Sequence, residues 1–183
     1  VIQVQSPTLT SLEAGINLLW LDAGLWHAYL GIAQGTDWLG ADRARQRVDA
    51  PRPDFRKYRA TLLHLREGPA PWPWRWQSEL AVQYSSDVLP AVEQLLLSDD
   101  STVRGFRLRS YSGASAAVWR NTLSQSPSTD GWLQIRPFIG LDLGWLRPAQ
   151  GHSPKRLTGA VAGVELSLPH NRLRLDYQRA LYA

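Results

Sequence analysis

The chain has no cysteine, which excludes disulfides, thiolate metal sites and thiol catalysis. That suits passage through an oxidising compartment, although many cytosolic proteins share the absence. Methionine is missing as well, even at position 1. The chain opens in mid-pattern on Val1-Ile2-Gln3-Val4, with neither a basic n-region nor an apolar h-region, and reads as a fragment or a trimmed chain. Long apolar runs are also lacking. None exceeds four residues, as in Leu18-Leu19-Trp20-Leu21, against the ~18–20 that a membrane helix needs. A helical membrane protein is excluded. A membrane β-barrel is not, because its signature is an alternation that is weak in each segment. Lysine is scarce: Lys57 and Lys155 are the only two, so arginine carries nearly all of the cationic side of a net charge of +4. The excess permits anionic lipid, an acidic polypeptide or nucleic acid as partner and selects none of them.

Groups that could do covalent chemistry are equally sparse. The four histidines, His27, His64, His152 and His170, show no metal-ligand spacing. No serine sits in a Gly-x-Ser-x-Gly elbow, and no glycine-rich phosphate loop joins a strand to a helix. The sequence supports no catalytic site, no metal and no cofactor, and reads as a non-enzyme.

What the chain does have is a period of two. Eight strands are predicted, at about 8–21, 25–35, 55–67, 73–86, 113–125, 131–146, 156–168 and 171–182. In the first, Leu12, Ala14, Ile16, Leu18 and Trp20 oppose Glu13, Gly15 and Asn17. The sixth is the clearest: Leu133, Ile135, Ile139, Leu141, Leu143 and Trp145 face one way, Gln134, Arg136, Gly140, Asp142 and Gly144 the other. The eighth sets Leu173, Leu175 and Tyr177 against Arg172, Arg174, Asp176 and Gln178. The third has no clean parity. In the seventh, Gly159, Ala160, Ala162 and Gly163 weaken the strand unless something approaches it closely or the wall bends there.

Alternation alone fits a soluble antiparallel sandwich as well. Three features favour a membrane barrel. The strands are long compared with the ~5–6 residues typical of globular proteins. Short connections (22–24, 68–71, 126–130, 169–170) alternate with longer ones (36–54, 87–112, 147–155), as tight periplasmic turns alternate with outer loops. Trp20, Trp26, Trp72, Trp74, Trp132 and Trp145 lie near strand ends, where amphipathic rings meet headgroups. Trp119, in mid-strand, does not fit that belt. The fold expected is all-β: an antiparallel transmembrane β-barrel, with residues 1–183 forming a single partial barrel domain.

The longest connection, 87–112, carries Val103-Arg104-Gly105-Phe106, preceded by Glu93-Gln94. Downstream follow Trp119-Arg120-Asn121-Thr122-Leu123 and Phe138-Ile139-Gly140-Leu141-Asp142-Leu143-Gly144. Val103–Phe106 resembles the VRGF signature of two-partner-secretion transporters of the haemolysin-activator and FhaC type, whose superfamily includes the BamA-like barrel assembly proteins. The Glu-Gln, Arg-Asn-x-Leu and Phe-x-Gly-x-Asp-x-Gly motifs occur in the family's order and spacing. Gln34-Gly35 followed by Asp37-Trp38-Leu39-Gly40-Ala41 also looks like a family loop. At Asp99-Asp100 the family usually has a glycine pair.

The resemblance implies a sixteen-stranded barrel, of which this chain supplies about eight strands of the C-terminal half, without the terminal strand. It implies a monomeric pore in the bacterial outer membrane, surrounded by lipid, that secretes a partner exoprotein and binds no nucleic acid. It also implies that the 87–112 loop folds into the lumen, where Arg104 meets Asp142. The alternation independently gives Asp142 the parity of Gln134 and Arg136, facing the lumen, since an acid facing lipid is costly. Gly105 would permit a tight tip, with Phe106 packed beside it. Two alternatives remain: a BamA-like insertase of other barrels, and a soluble basic β-domain binding nucleic acid or polysaccharide.

Overall fold

Alternating apolar and polar residues over a dozen positions make a strand with one face for each solvent, and the chain builds eight of them into one sheet. The computed structural model describes residues 9–36, 53–69, 71–97, 102–106, 110–125, 132–148 and 153–183. The motif at 37–41, most of the charged stretch at 40–54, and Asp99-Asp100 lie outside the described residues. The strands are β1 (Thr10–Leu21), β2 (Leu25–Thr36), β3 (Arg56–Glu67), β4 (Trp74–Tyr84), β5 (Leu95–Leu97), β6 (Tyr111–Gly113), β7 (Ser115–Gln125), β8 (Gln134–Arg147), β9 (Lys155–Ser167) and β10 (Arg172–Tyr182).

The main sheet runs in the order β1-β2-β3-β4-β7-β8-β9-β10, each strand antiparallel to its neighbour. Among the described residues it is open, with β1 and β10 at its edges. The eight predicted strands are these eight. The β5–β6 hairpin is a further element, inside the long connection between β4 and β7. One predicted contrast is weaker than expected. β8 begins at Gln134, after an exposed Trp132, so the β7–β8 connection (126–133) is no shorter than the β8–β9 connection (148–154). The other connections keep the asymmetry. The β1–β2 turn closes in three residues, with Ala23 and Gly24 both at positive φ, and the 85–114 connection lies at the opposite end of the sheet.

Burial runs against polarity. Along β8, Ile135, Ile139, Leu141, Leu143 and Trp145 are exposed, while Phe138, Asp142, Gly144 and Leu146 are buried. The same outward face carries Leu12 and Ile16 of β1, Leu30 and Ile32 of β2, and Leu173 and Leu175 of β10. A water-soluble sheet hides such residues; hydrocarbon solvates them. Strands suit that solvent because the ladder pairs every backbone group not at an edge. Mid-strand Trp119, outside the terminal belt, donates its indole N–H to Ser78 Oγ across the strand pair at 2.8 Å, which meets the need that keeps most membrane tryptophans at the headgroups. His64 is no isolated histidine. It lies buried on the same face, stacked on Trp26 at 3.7 Å and edge-on to Trp76.

The inward face explains why β3 lacks parity. Register places Leu62 outward with Leu80 and Leu63 inward with Glu79, so adjacent leucines serve both faces. On β1 and β2, Tyr29 leans over Gly15 and Gly31, where added Cβ atoms would meet its ring, and donates to Glu13 at 2.6 Å. Most of the buried apolar residues form two clusters, each where the long connection meets the inner wall. Leu97, Val103 and Phe106 lie on Ala116, Val118, Leu146 and Leu157. Phe55 and Leu89 gather with Ala114.

Candidate functional site

Between β4 and β7 the chain turns inwards, and Val103, Arg104 and Phe106 are buried against the inner wall. Three glycines make room. A Cβ on Gly140 would meet the Arg104 guanidinium, one on Gly144 would meet Val103, and one on Gly159 would strike the Arg104 carbonyl oxygen. Close approach accounts for a glycine at each of these positions in a strand. Gly105 itself has φ +97°, a conformation that L side chains rarely adopt. Its Cβ-less face abuts the backbone of Arg179 and Ala180 on β10, and its N–H donates to Gln178 Oε1 at 3.2 Å.

Over the Gly140 gap the Arg104 guanidinium grips Asp142. Nε donates to Oδ2 at 2.6 Å and Nη2 to Oδ1 at 2.5 Å, while the Arg104 backbone N–H adds a third bond to Oδ2 at 2.9 Å. Nη1 donates to Thr122 Oγ1 and Nη2 also to the Asn121 carbonyl, both from β7. The side chains are 3% and 0% exposed. A planar fork on a carboxylate is the strongest geometry for such a pair. Burial makes it sensitive, because losing one partner strands the other charge away from water.

The remaining predicted residues fall into different places. Phe138 faces inward, buried, with the Arg174 guanidinium 4.4 Å from its ring centre. Arg120 also faces inward and is the register partner of Asp142. Asn121 does not: register pairs it with Leu141 on the outward parity, so only its carbonyl reaches the site. Glu93 and Gln94 are not at the tip either. Glu93 pairs with Lys57 of β3, which is buried, and its carbonyl accepts from Gln83 Nε2 at 3.0 Å. Gln94 donates to the Leu89 carbonyl at 2.9 Å. Ser85 and Ser115 close the root of the connection reciprocally: the Ser85 N–H donates to Ser115 Oγ, and Ser115 Oγ donates to the Ser85 carbonyl.

Sequence reasoning missed Lys57, Gln83 and the apolar inner patch of Leu146 and Leu157. A signal for Lys57 existed, since it is one of two lysines in a chain that otherwise uses arginine. Leu146 follows Trp145 directly, a break in the alternation that marks an apolar residue facing inward. Among the described residues no group of three His, Asp or Glu side chains could hold a metal ion.

The family described as haemolysin secretion/activation protein ShlB/FhaC/HecB matches residues 1–166. The hemolysin transporter protein ShlB of Serratia marcescens is 36% identical over 183 residues, covering 98% of this chain and 31% of that protein. The hemolysin transporter protein HpmB of Proteus mirabilis is 30% identical, with the same coverage. The outer membrane transporter CdiB of Escherichia coli O6:K15:H31 (strain 536 / UPEC) is 31% identical over 182 residues, 93% of this chain and 29% of that protein. The solved structure of CdiB from Escherichia coli superposes with a TM-score of 0.90 at 30% identity, covering 100% of this chain and 35% of that one. The chain therefore spans about three-tenths of the length of the curated relatives it matches.

Proposed function

Since the chain belongs to the haemolysin secretion/activation protein family ShlB/FhaC/HecB and, with it, to the bacterial outer membrane, we propose that it forms part of the wall and the in-turned loop of a pore that secretes a partner exoprotein. The observation that carries this reading is the Arg104–Asp142 fork on the inner wall of a sheet whose outer face is apolar. A loop held in the lumen by one buried ion pair, a small apolar patch and a glycine floor is a removable element. Docked, it fills and braces the lumen; withdrawn, it leaves the space to an extended polypeptide.

The exposed apolar face sits in lipid, the inner face is the conduit, and the secreted chain is a partner from outside this polypeptide. The pore acts as a monomer, with no nucleic acid and no catalytic step. Arg104 and Asp142 position the loop and touch no reacting atoms. In the full-length transporter, Arg104→Ala or Asp142→Ala cuts export of the exoprotein while the barrel still inserts and keeps its heat-modifiable migration on gels. Normal export from both variants would overturn the role given to the pair.

A further inference from the structure

Arg120 lies in a row of alternating charge that crosses the inner wall at the height of the loop tip. Register pairs Glu79 of β4 with Arg120 of β7, and Arg120 with Asp142 of β8. The next member of the row is Gly159 of β9, the floor beneath the Arg104 backbone. Directly opposed residues of an antiparallel pair hold their Cβ atoms about 4.5–5.5 Å apart, well within an arginine's reach. Asp142 therefore has one cation delivered by the loop and another rooted in the wall beside it. Arg104, Arg120 and Thr122 line one recess.

We propose that Arg120 is a second, wall-borne partner of Asp142, which takes the carboxylate over when the loop tip withdraws and yields it when the tip returns. The inference rests on the transport reading, in which the tip leaves its seat. The space over Gly140 fits a guanidinium because no Cβ fills it. The acceptors that hold Arg104 there, namely the Asp142 carboxylate, Thr122 Oγ1 and the Asn121 carbonyl, all belong to the wall. They stay in place when the tip departs. Arg120 shares its strand and face with Thr122, two residues away, and in the exchange it gives up its present contact and swings its fork into the vacated space. Glu79, on the other side, keeps the Gln77 amide as a donor. A carboxylate that is never left without a cation makes undocking cheaper and redocking a simple exchange of one fork for another.

The test is a set of unfolding midpoints of the full-length protein in lipid vesicles without exoprotein: Arg104→Ala, Arg120→Ala, the double variant, and the double variant carrying Asp142→Asn. A shared carboxylate predicts that the double variant falls by more than the sum of the single drops, because only there does Asp142 lose both cations. Asp142→Asn should then recover most of the excess, and Arg120→Lys in the Arg104→Ala background should retain part of the stability that Arg120→Ala loses. If the double variant does not fold, the expected result is that the Asp142→Asn version does. Additive drops, or no recovery with asparagine, overturn the proposal. Export is scored separately. Normal export from Arg104→Ala sinks the transport role and leaves this cycle to stand or fall on its own.

Discussion

The in-turned connection is held at two places by different means, its tip and its root. The tip rests on one guanidinium gripping a fully buried carboxylate, on Val103 and Phe106 packed against the wall, and on three glycines of β8 and β9 that admit the guanidinium, Val103 and the Arg104 backbone. The root rests on redundancy. Lys57 pairs with Glu93, Gln83 donates to backbone on both sides of the connection, two serines bond reciprocally, and Phe55 and Leu89 close over them. A root with many modest contacts to strand ends keeps its place if one is lost. A tip whose ion pair and apolar side chains seat together on one patch of wall is either home or away. In the proposed pore a segment built this way is a lever, with its fulcrum at the strand ends and its latch on the inner wall.

The sharpest way to break that contrast is at the latch. Asp142→Ala leaves the buried Arg104 guanidinium without its counter-charge and should lower barrel stability by about 3–5 kcal/mol, the range for breaking a buried pair. Denaturant unfolding of the full-length protein in lipid reads this out. Gly159→Val should displace the tip without touching a charge. Its side chain collides with the Arg104 carbonyl, and relief by undocking costs about 1–3 kcal/mol, as for an overpacked core. The described segments hold no cysteine, so Phe106→Cys in a cysteine-free background reports the event. Faster thiol labelling in the Gly159→Val protein is the expected result, and unchanged labelling would show that the glycine floor is not what seats the loop. Lys57→Met should have the smallest effect on the tip: it costs about 1–3 kcal/mol for leaving the largely buried Glu93 carboxylate unanswered, with Phe106→Cys labelling as slow as in the parent. If Lys57→Met frees the tip as readily as Gly159→Val does, tip and root are one unit and the lever picture fails.

Long strands made the sheet legible. Each carries enough alternating positions for parity to stand out, so all eight are found, and Asp142 is placed inward on parity before any partner is considered. Its partner was not legible in this way. Arg104 lies in an aperiodic segment 38 residues away, and only the motif resemblance pointed to it. The root was harder still. Lys57 sits on β3, where adjacent leucines on opposite faces blur the parity, and nothing local joins it to Glu93 across 36 residues of chain. The β5–β6 strands are three residues each, too short to show a period. The apolar inner patch was hidden by the expectation that inward means polar. Leu146 and Leu157 break that rule because a loop, rather than water, covers them.

The inverted burial along β8 also sets how freely each position can drift. In the proposed pore Leu141 faces fluid acyl tails that conform to valine, isoleucine or phenylalanine alike, whereas Asp142, one step further, answers to a fixed fork and tolerates no substitute of similar size. Lineages descending from such a strand should record a two-beat rhythm, loose and strict by turns. The loose beats fall on the greasy residues that, in a water-soluble protein, would be the last to change.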